Sequence, residues 1–181
     1  MTKSIDPHVR IGHVHLRTAD IDRVKAFYCG VLGFDVVAEA RGVPGWGTTG
    51  DILFVSAGGY HHHLGLNTWM SKGGPPSPPG SAGLFHFAIR YPTRRALADA
   101  LRRLGEAGWP LEGASDHGVS EALYLSDPDR NGVELYWDRP REQWPRPPEG
   151  DGVQVTVDFT VEIEGSAKPA CVARGIYRHY A

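Results

Sequence analysis

Three side chains of this 181-residue sequence have the types and spacing to share one metal ion: His13, His86 and Glu134. Each sits in a segment that alternates apolar and polar residues, as strands with one buried face do. Val14, Leu16, Phe87, Ile89, Val133 and Leu135 form the apolar phase. The opposite phase carries His13, His15, His86, Glu134 and Tyr136, a composition suited to a polar cavity on a concave face. His13 stands seven residues before Asp20, and His86 stands seven before Thr93, so the two imidazoles hold the same place in a repeated unit. Two imidazoles and a carboxylate fill one side of an ion and leave other positions open, the arrangement associated with non-haem Fe(II) oxygenases. Fe(II) is therefore the expected ion, and the same donors also admit Mn(II).

The elements that must position these residues repeat as well. IGHVHLRT reads as a strand, Asp20 as a helix cap, and Ile21, Val24, Phe27, Tyr28 and Val31 as an apolar stripe that ends at Gly33 and Phe34. In the second half LFHFAIRY is the strand, Thr93 the cap, Leu97, Leu101 and Leu104 the stripe, and Gly108 with Trp109 the exit. FDVVAEA, DILFVSA and HHLGLN then supply strands to the first half, and WPLEGA, EALYLSD and GVELYWD to the second. The fold class expected is α+β, with two βαβββ modules forming an open, metal-containing β-cup. SKGGPPSPPGSAG marks the boundary, placing the first module in residues 1–80 and the second in 81–140. The Pro-rich DRPREQWPRPPEGDG leads into a tail within 141–181 that alternates like a strand around 153–163 and then reads as loop or short helix. That tail is expected to pack as an edge strand or against a second subunit.

Composition excludes several other classes. A net charge of -2 provides no broad basic field for nucleic acid. No run approaches the roughly 20 apolar residues of a membrane span, and MTKSIDPHVR lacks an apolar signal core, so a cytoplasmic protein is expected. Cys29 and Cys171 are too few and too far apart for a disulfide framework or a zinc knuckle. Nine histidines are the compositional oddity, and five of them fall in two short clusters.

Several of the remaining polar residues also carry chemistry. His15 shares the face of His13 and is placed to line the pocket or support the ligands from behind. Alternation counted back from Gly65 turns His63 and His61 inward. Tyr124 takes the inward phase between Leu123 and Leu125. His117, in the preceding loop, is placed either to close over a substrate or to cap a turn. Trp46, Trp69 and Trp137 could wall an aromatic pocket or serve as core or dimer contacts. DPDRNG is turn chemistry, without a catalytic assignment.

GHVHLRTADIDRVKAFYCGVLGF, LFHFAIR and YLSDPDRNGVELYWD resemble the vicinal-oxygen-chelate superfamily, which includes glyoxalases, bleomycin resistance proteins and extradiol dioxygenases. GGYHHHLGLNTW and ASDHGVSEALYLSDP resemble its single-domain catechol 2,3-dioxygenase-like branch. The resemblance covers residues 10–140 and implies paired βαβββ modules around one metal, with His13, His86 and Glu134 matching the dioxygenase ligands. It implies a histidine acting as acid or base at His62, one residue from the His63 that alternation favours, and a bulge would reconcile the two. It implies that Tyr124 hydrogen-bonds a metal-bound substrate oxygen. The glyoxalase branch takes a fourth ligand from the strand LGL, where this chain has Gly65. The implied activity is extradiol cleavage of a small aromatic diol by O2, a step of aromatic-compound catabolism, in a chain that pairs as a homodimer. Two rival readings remain. One is a glyoxalase-like metal-dependent lyase, isomerase or thiol transferase, and the other is a resistance protein that binds an aromatic drug.

Overall fold

A computed structural model describes residues 4–145 and the backbone of 154–161 and 171–178. The chain divides into two units, Met1–Pro79 and Gly80–Ala181.

The first unit runs β1 (Val14–Arg17), α1 (Ile21–Lys25), a π-helical turn (Ala26–Val31), β2 (Asp35–Gly45), β3 (Thr48–Ser56) and β4 (Leu64–Asn67). Its sheet has the order β1-β4-β3-β2, with β1 parallel to β4 and the other pairs antiparallel. The Asp20 carboxylate accepts the backbone N–H groups of Asp22 and Arg23 and so starts α1. Ile21, Val24, Phe27 and Tyr28 are buried as the stripe predicts. The π turn shifts the stripe by one residue: Leu32 N–H bonds to Phe27 O, five positions back, so Leu32 is buried and Val31 only half-buried. β2 and β3 extend beyond the expected segments because Trp46 and Gly47, at φ 51° and 77°, close them into a tight hairpin. Trp69 packs across this hairpin, donating from Nε1 to Val43 O at 2.9 Å. A methyl group on Gly45 or Gly50 would collide with it.

The second unit repeats the plan with β5 (His86–Arg90), α2 (Arg94–Glu106), β6 (Gly113–Asp116), β7 (Ser120–Ser126) and β8 (Gly132–Asp138), in the order β5-β8-β7-β6. Thr93 Oγ1 accepts Ala96 N–H at the start of α2. At its end Gly108 adopts φ 63°, and Trp109 N–H reaches back to Leu104 O, a left-handed helix exit. Leu97, Ala100 and Leu104 are buried beneath it, with Leu101 half-buried. Under the helices lie Leu16 in the first unit and Phe87, Val133 and Leu135 in the second, all from the apolar phase.

The chain is thus α+β, two four-stranded mixed sheets built as βαβββ modules. In the tail the strand expected around 153–163 is β9 (Gln154–Val161), and the segment expected as loop or short helix holds β10 (Cys171–Arg178); the two pair antiparallel in a sheet of their own, and neither joins a four-stranded sheet as an edge strand. CVARGIYR loses its alternation at Gly175, which hid β10 from a pattern reading. Residues 146–152 of the Pro-rich stretch lie outside the described residues. Cys29 is a free, half-buried thiol whose burial raises its pKa. Among the described residues no helix is long and apolar enough to cross a membrane.

Candidate functional site

In the second unit three neighbouring strands bring His86, Glu134 and Tyr124 to one face. Tyr124 and Glu134 are register partners across β7 and β8. His86 Nε2 lies 3.0 Å from Glu134 Oε2, their side chains 33% and 13% exposed. Tyr124 donates its hydroxyl proton to Glu134 Oε1 at 3.1 Å. With that proton committed, the phenol oxygen accepts from His117 Nε2 at 2.8 Å, which places the His117 proton on Nε2. A polar chain therefore runs from His117 through Tyr124 and Glu134 to His86.

Local sequence builds this chain. Gly132 lies beside β5, where a Cβ would collide with the Phe85 carbonyl oxygen and approach His86 Cβ within 3.0 Å. Glycine there lets β5 carry His86 close to β8. Asp127 accepts Asp129 N–H, Asn131 N–H and Asn131 Nδ2 at 2.8–2.9 Å, fixing the turn before β8, as DPDRNG suggests. His117 belongs to the tight β6–β7 turn, where its N–H donates to Ser120 O and Gly118 N–H to Asp116 Oδ1. Arg139 Nη2 grips Asp116 Oδ2 at 2.7 Å. Of the two sequence options for His117, the turn is seen in its backbone, while its ring reaches Tyr124.

In the first unit His13 immediately precedes β1, its ring centroid 4.5 Å from that of His62. His62 also packs on Phe54 at 4.8 Å and His61 at 4.6 Å. Burial lowers the His62 pKa, and the neighbouring His13 lowers it further. His63 turns elsewhere: its Nδ1 meets Ser56 Oγ at 3.0 Å and accepts Ala57 N–H at 3.3 Å. Residues 61–63 lie ahead of β4, where strand alternation has not begun. The ring beside His13 is that of His62.

His15 stands on β1 opposite Gly65 on β4. Asn67 Oδ1 accepts Trp69 N–H at 3.2 Å, leaving Nδ2 to donate to His15 Nε2 at 2.9 Å. Nε2 must accept, so neutral His15 carries its proton on Nδ1. Burial lowers its pKa, with His13 and His62 adding to the effect. Asn67, Ser56 and Gly132 are contributors that strand patterning did not single out. Asn67 lies one alternation step beyond Gly65, a signal that becomes useful once the β1–β4 register is known. Among the described residues, neither unit by itself gathers three His, Cys, Asp or Glu side chains to hold a metal.

Residues 10–135 match the Glyoxalase/Bleomycin resistance protein/Dioxygenase superfamily, and the chain belongs to it. It is 42% identical over 102 residues to the catechol-2,3-dioxygenase of Bacillus subtilis strain 168, a span of 56% of this chain and 33% of that protein. It is 32% identical over 133 residues to biphenyl-2,3-diol 1,2-dioxygenase 2 of Rhodococcus globerulus, covering 71% of this chain and 63% of the relative. The chain thus spans a third of the first relative and less than two thirds of the second. A solved glyoxylase/bleomycin resistance protein/dioxygenase domain from Frankia sp. EAN1pec shares the fold, with a TM-score of 0.61 at 19% identity over 74% of this chain and 94% of that one.

Proposed function

We propose that this chain is a non-haem, metal-dependent extradiol dioxygenase that opens a catechol-type ring with O2. The observation that carries the reading is the chain His117–Tyr124–Glu134–His86, ending in a histidine nitrogen and a carboxylate oxygen 3.0 Å apart. Two donors each about 2.1 Å from one ion, at right angles, stand about 3.0 Å apart, so this pair fits adjacent positions on a divalent metal. His13 is the proposed third ligand, from the equivalent place in the repeat, and Fe(II) the proposed ion, with Mn(II) the alternative. Bound there, the metal would supply joint binding of the two ring oxygens and O2 and withdrawal of charge from them.

The remaining roles belong to the protein's own side chains. His62, neutral at neutral pH because burial lowers its pKa, can accept the proton that a ring hydroxyl sheds on binding. Tyr124 steadies the Glu134 carboxylate, and His117 steadies Tyr124. His15 lines the same face as His13, beside Phe54 and Trp69. The names of the Bacillus and Rhodococcus relatives favour an aromatic diol as the substrate.

The test is anaerobic reconstitution with Fe(II), followed by catechol and biphenyl-2,3-diol with oxygen-uptake readout. Uptake matched by a yellow ring-opened product is expected. No uptake with any diol, together with tight Ni(II) or Zn(II) binding, would favour the lyase reading.

A further inference from the structure

The two modules differ in one exchange of bulk at the centre of the site-bearing face. In the second unit the register pairs small Ala88 on β5 with Glu134 on β8. At the corresponding rungs of the first unit it pairs His15 on β1 with Gly65 on β4. Gly65 therefore stands where the repeat would put a counterpart of Glu134, and His15 where it would put a counterpart of Ala88. The space over Gly65 is filled: a Cβ built on it would lie 2.9 Å from His15 Nδ1 and 3.1 Å from both Cε1 and Cγ. The imidazole is held in that seat by Asn67, whose side chain is fixed in turn by Trp69 N–H. Phe54 meets the ring edge-on at 5.9 Å.

We propose that His15 and Gly65 form a coordination-limiting pair, in which the His15 ring fills the volume that a ligand side chain on β4 would need. The inference rests on the metal site proposed above. It makes His15 a determinant of reaction type. With three protein ligands, an octahedral ion keeps three positions for two ring oxygens and O2. A fourth ligand from β4 would remove one of them.

Two comparisons test the pair. In the metal-free protein, Gly65→Ala should lower the melting temperature by about 2–4 °C, because the ring must leave its seat and its bond to Asn67. Combined with His15→Ala, Gly65→Ala should cost no further stability. A Gly65→Ala variant as stable as wild type, or an additive double variant, overturns the steric pairing. For the metal, His15→Ala/Gly65→Glu should bind Mn(II) at least about tenfold more tightly than His15→Ala. Its inner-sphere water relaxivity should fall by about one third, as three open positions become two. Equal affinity and relaxivity in those two variants overturns the proposal while leaving the metal site intact. A wild-type chain that binds no divalent ion overturns the metal reading, and this inference with it.

Discussion

Tyr124→Phe removes one hydroxyl and keeps the ring that sits opposite Glu134 across β7 and β8. The hydroxyl donates to Glu134 Oε1 at 3.1 Å and accepts from His117 Nε2 at 2.8 Å. A hydrogen bond to a charged acceptor contributes about 1.5–3 kcal/mol. The Glu134 side chain is 13% exposed, so water can take over part of the lost bond. The lower half of that range applies, about 1.5–2 kcal/mol, which corresponds to roughly 10- to 30-fold. The loss should fall on metal affinity, because a carboxylate freed from its partner must be ordered again on binding. Mn(II) titration of the metal-free variant, followed by the electron-spin signal of the free ion, reads it directly. The expected result is one ion per chain, bound about 10- to 30-fold more weakly than in wild type. An affinity within about twofold of wild type would refute the view that Tyr124 fixes the Glu134 ligand.

Gly132→Ala should cost about 1–3 kcal/mol, read as a lower melting temperature, because its methyl group forces β5 away from β8 and carries His86 with it. Metal affinity should fall in parallel, and a normal melt would show that the approach at Phe85 is not tight. Backbone N–H from Gly42 and the Lys72 ammonium hold the Asp51 carboxyl below its ordinary pKa. The folded state therefore favours its ionised form, so its contribution is present above the usual carboxylate range and is lost as pH falls through and below that range. Urea melts across acidic pH should show a weaker dependence in Asp51→Asn than in wild type. The acid limb of kcat/KM should lie below the ordinary histidine value of 6.5 and vanish in His62→Asn, since burial disfavours the charged imidazole. A limb unchanged in that variant would remove His62 from the proton transfer.

The repeat was legible because both halves announce it locally, with Asp20 and Thr93 capping helices at the same distance from His13 and His86. Alternation also put Glu134 and Tyr124 on one face, and the 3.1 Å bond between them follows from that phase. Three features stayed hidden because they depend on pairing distant in sequence or on irregular backbone. The π turn moves the buried stripe from Val31 to Leu32, and no residue in AFYCGV marks it. HHLGLN reads as one strand and so does not separate His62 from His63, whereas β4 begins at Leu64 and Ser56, across the β3–β4 loop, takes His63. The seat of His15 over Gly65 is set by the parallel β1–β4 register, which joins residues 50 positions apart.

Metal titration of wild type beside His13→Ala and His86→Ala tests the proposed centre most directly. One divalent ion per chain is expected in wild type, and binding weakened by at least about 100-fold in each variant, since each removes one of the three proposed ligands. Retention of the ion at wild-type affinity in either variant would contradict the assignment of that histidine and, with it, the metal centre on which the dioxygenase reading stands.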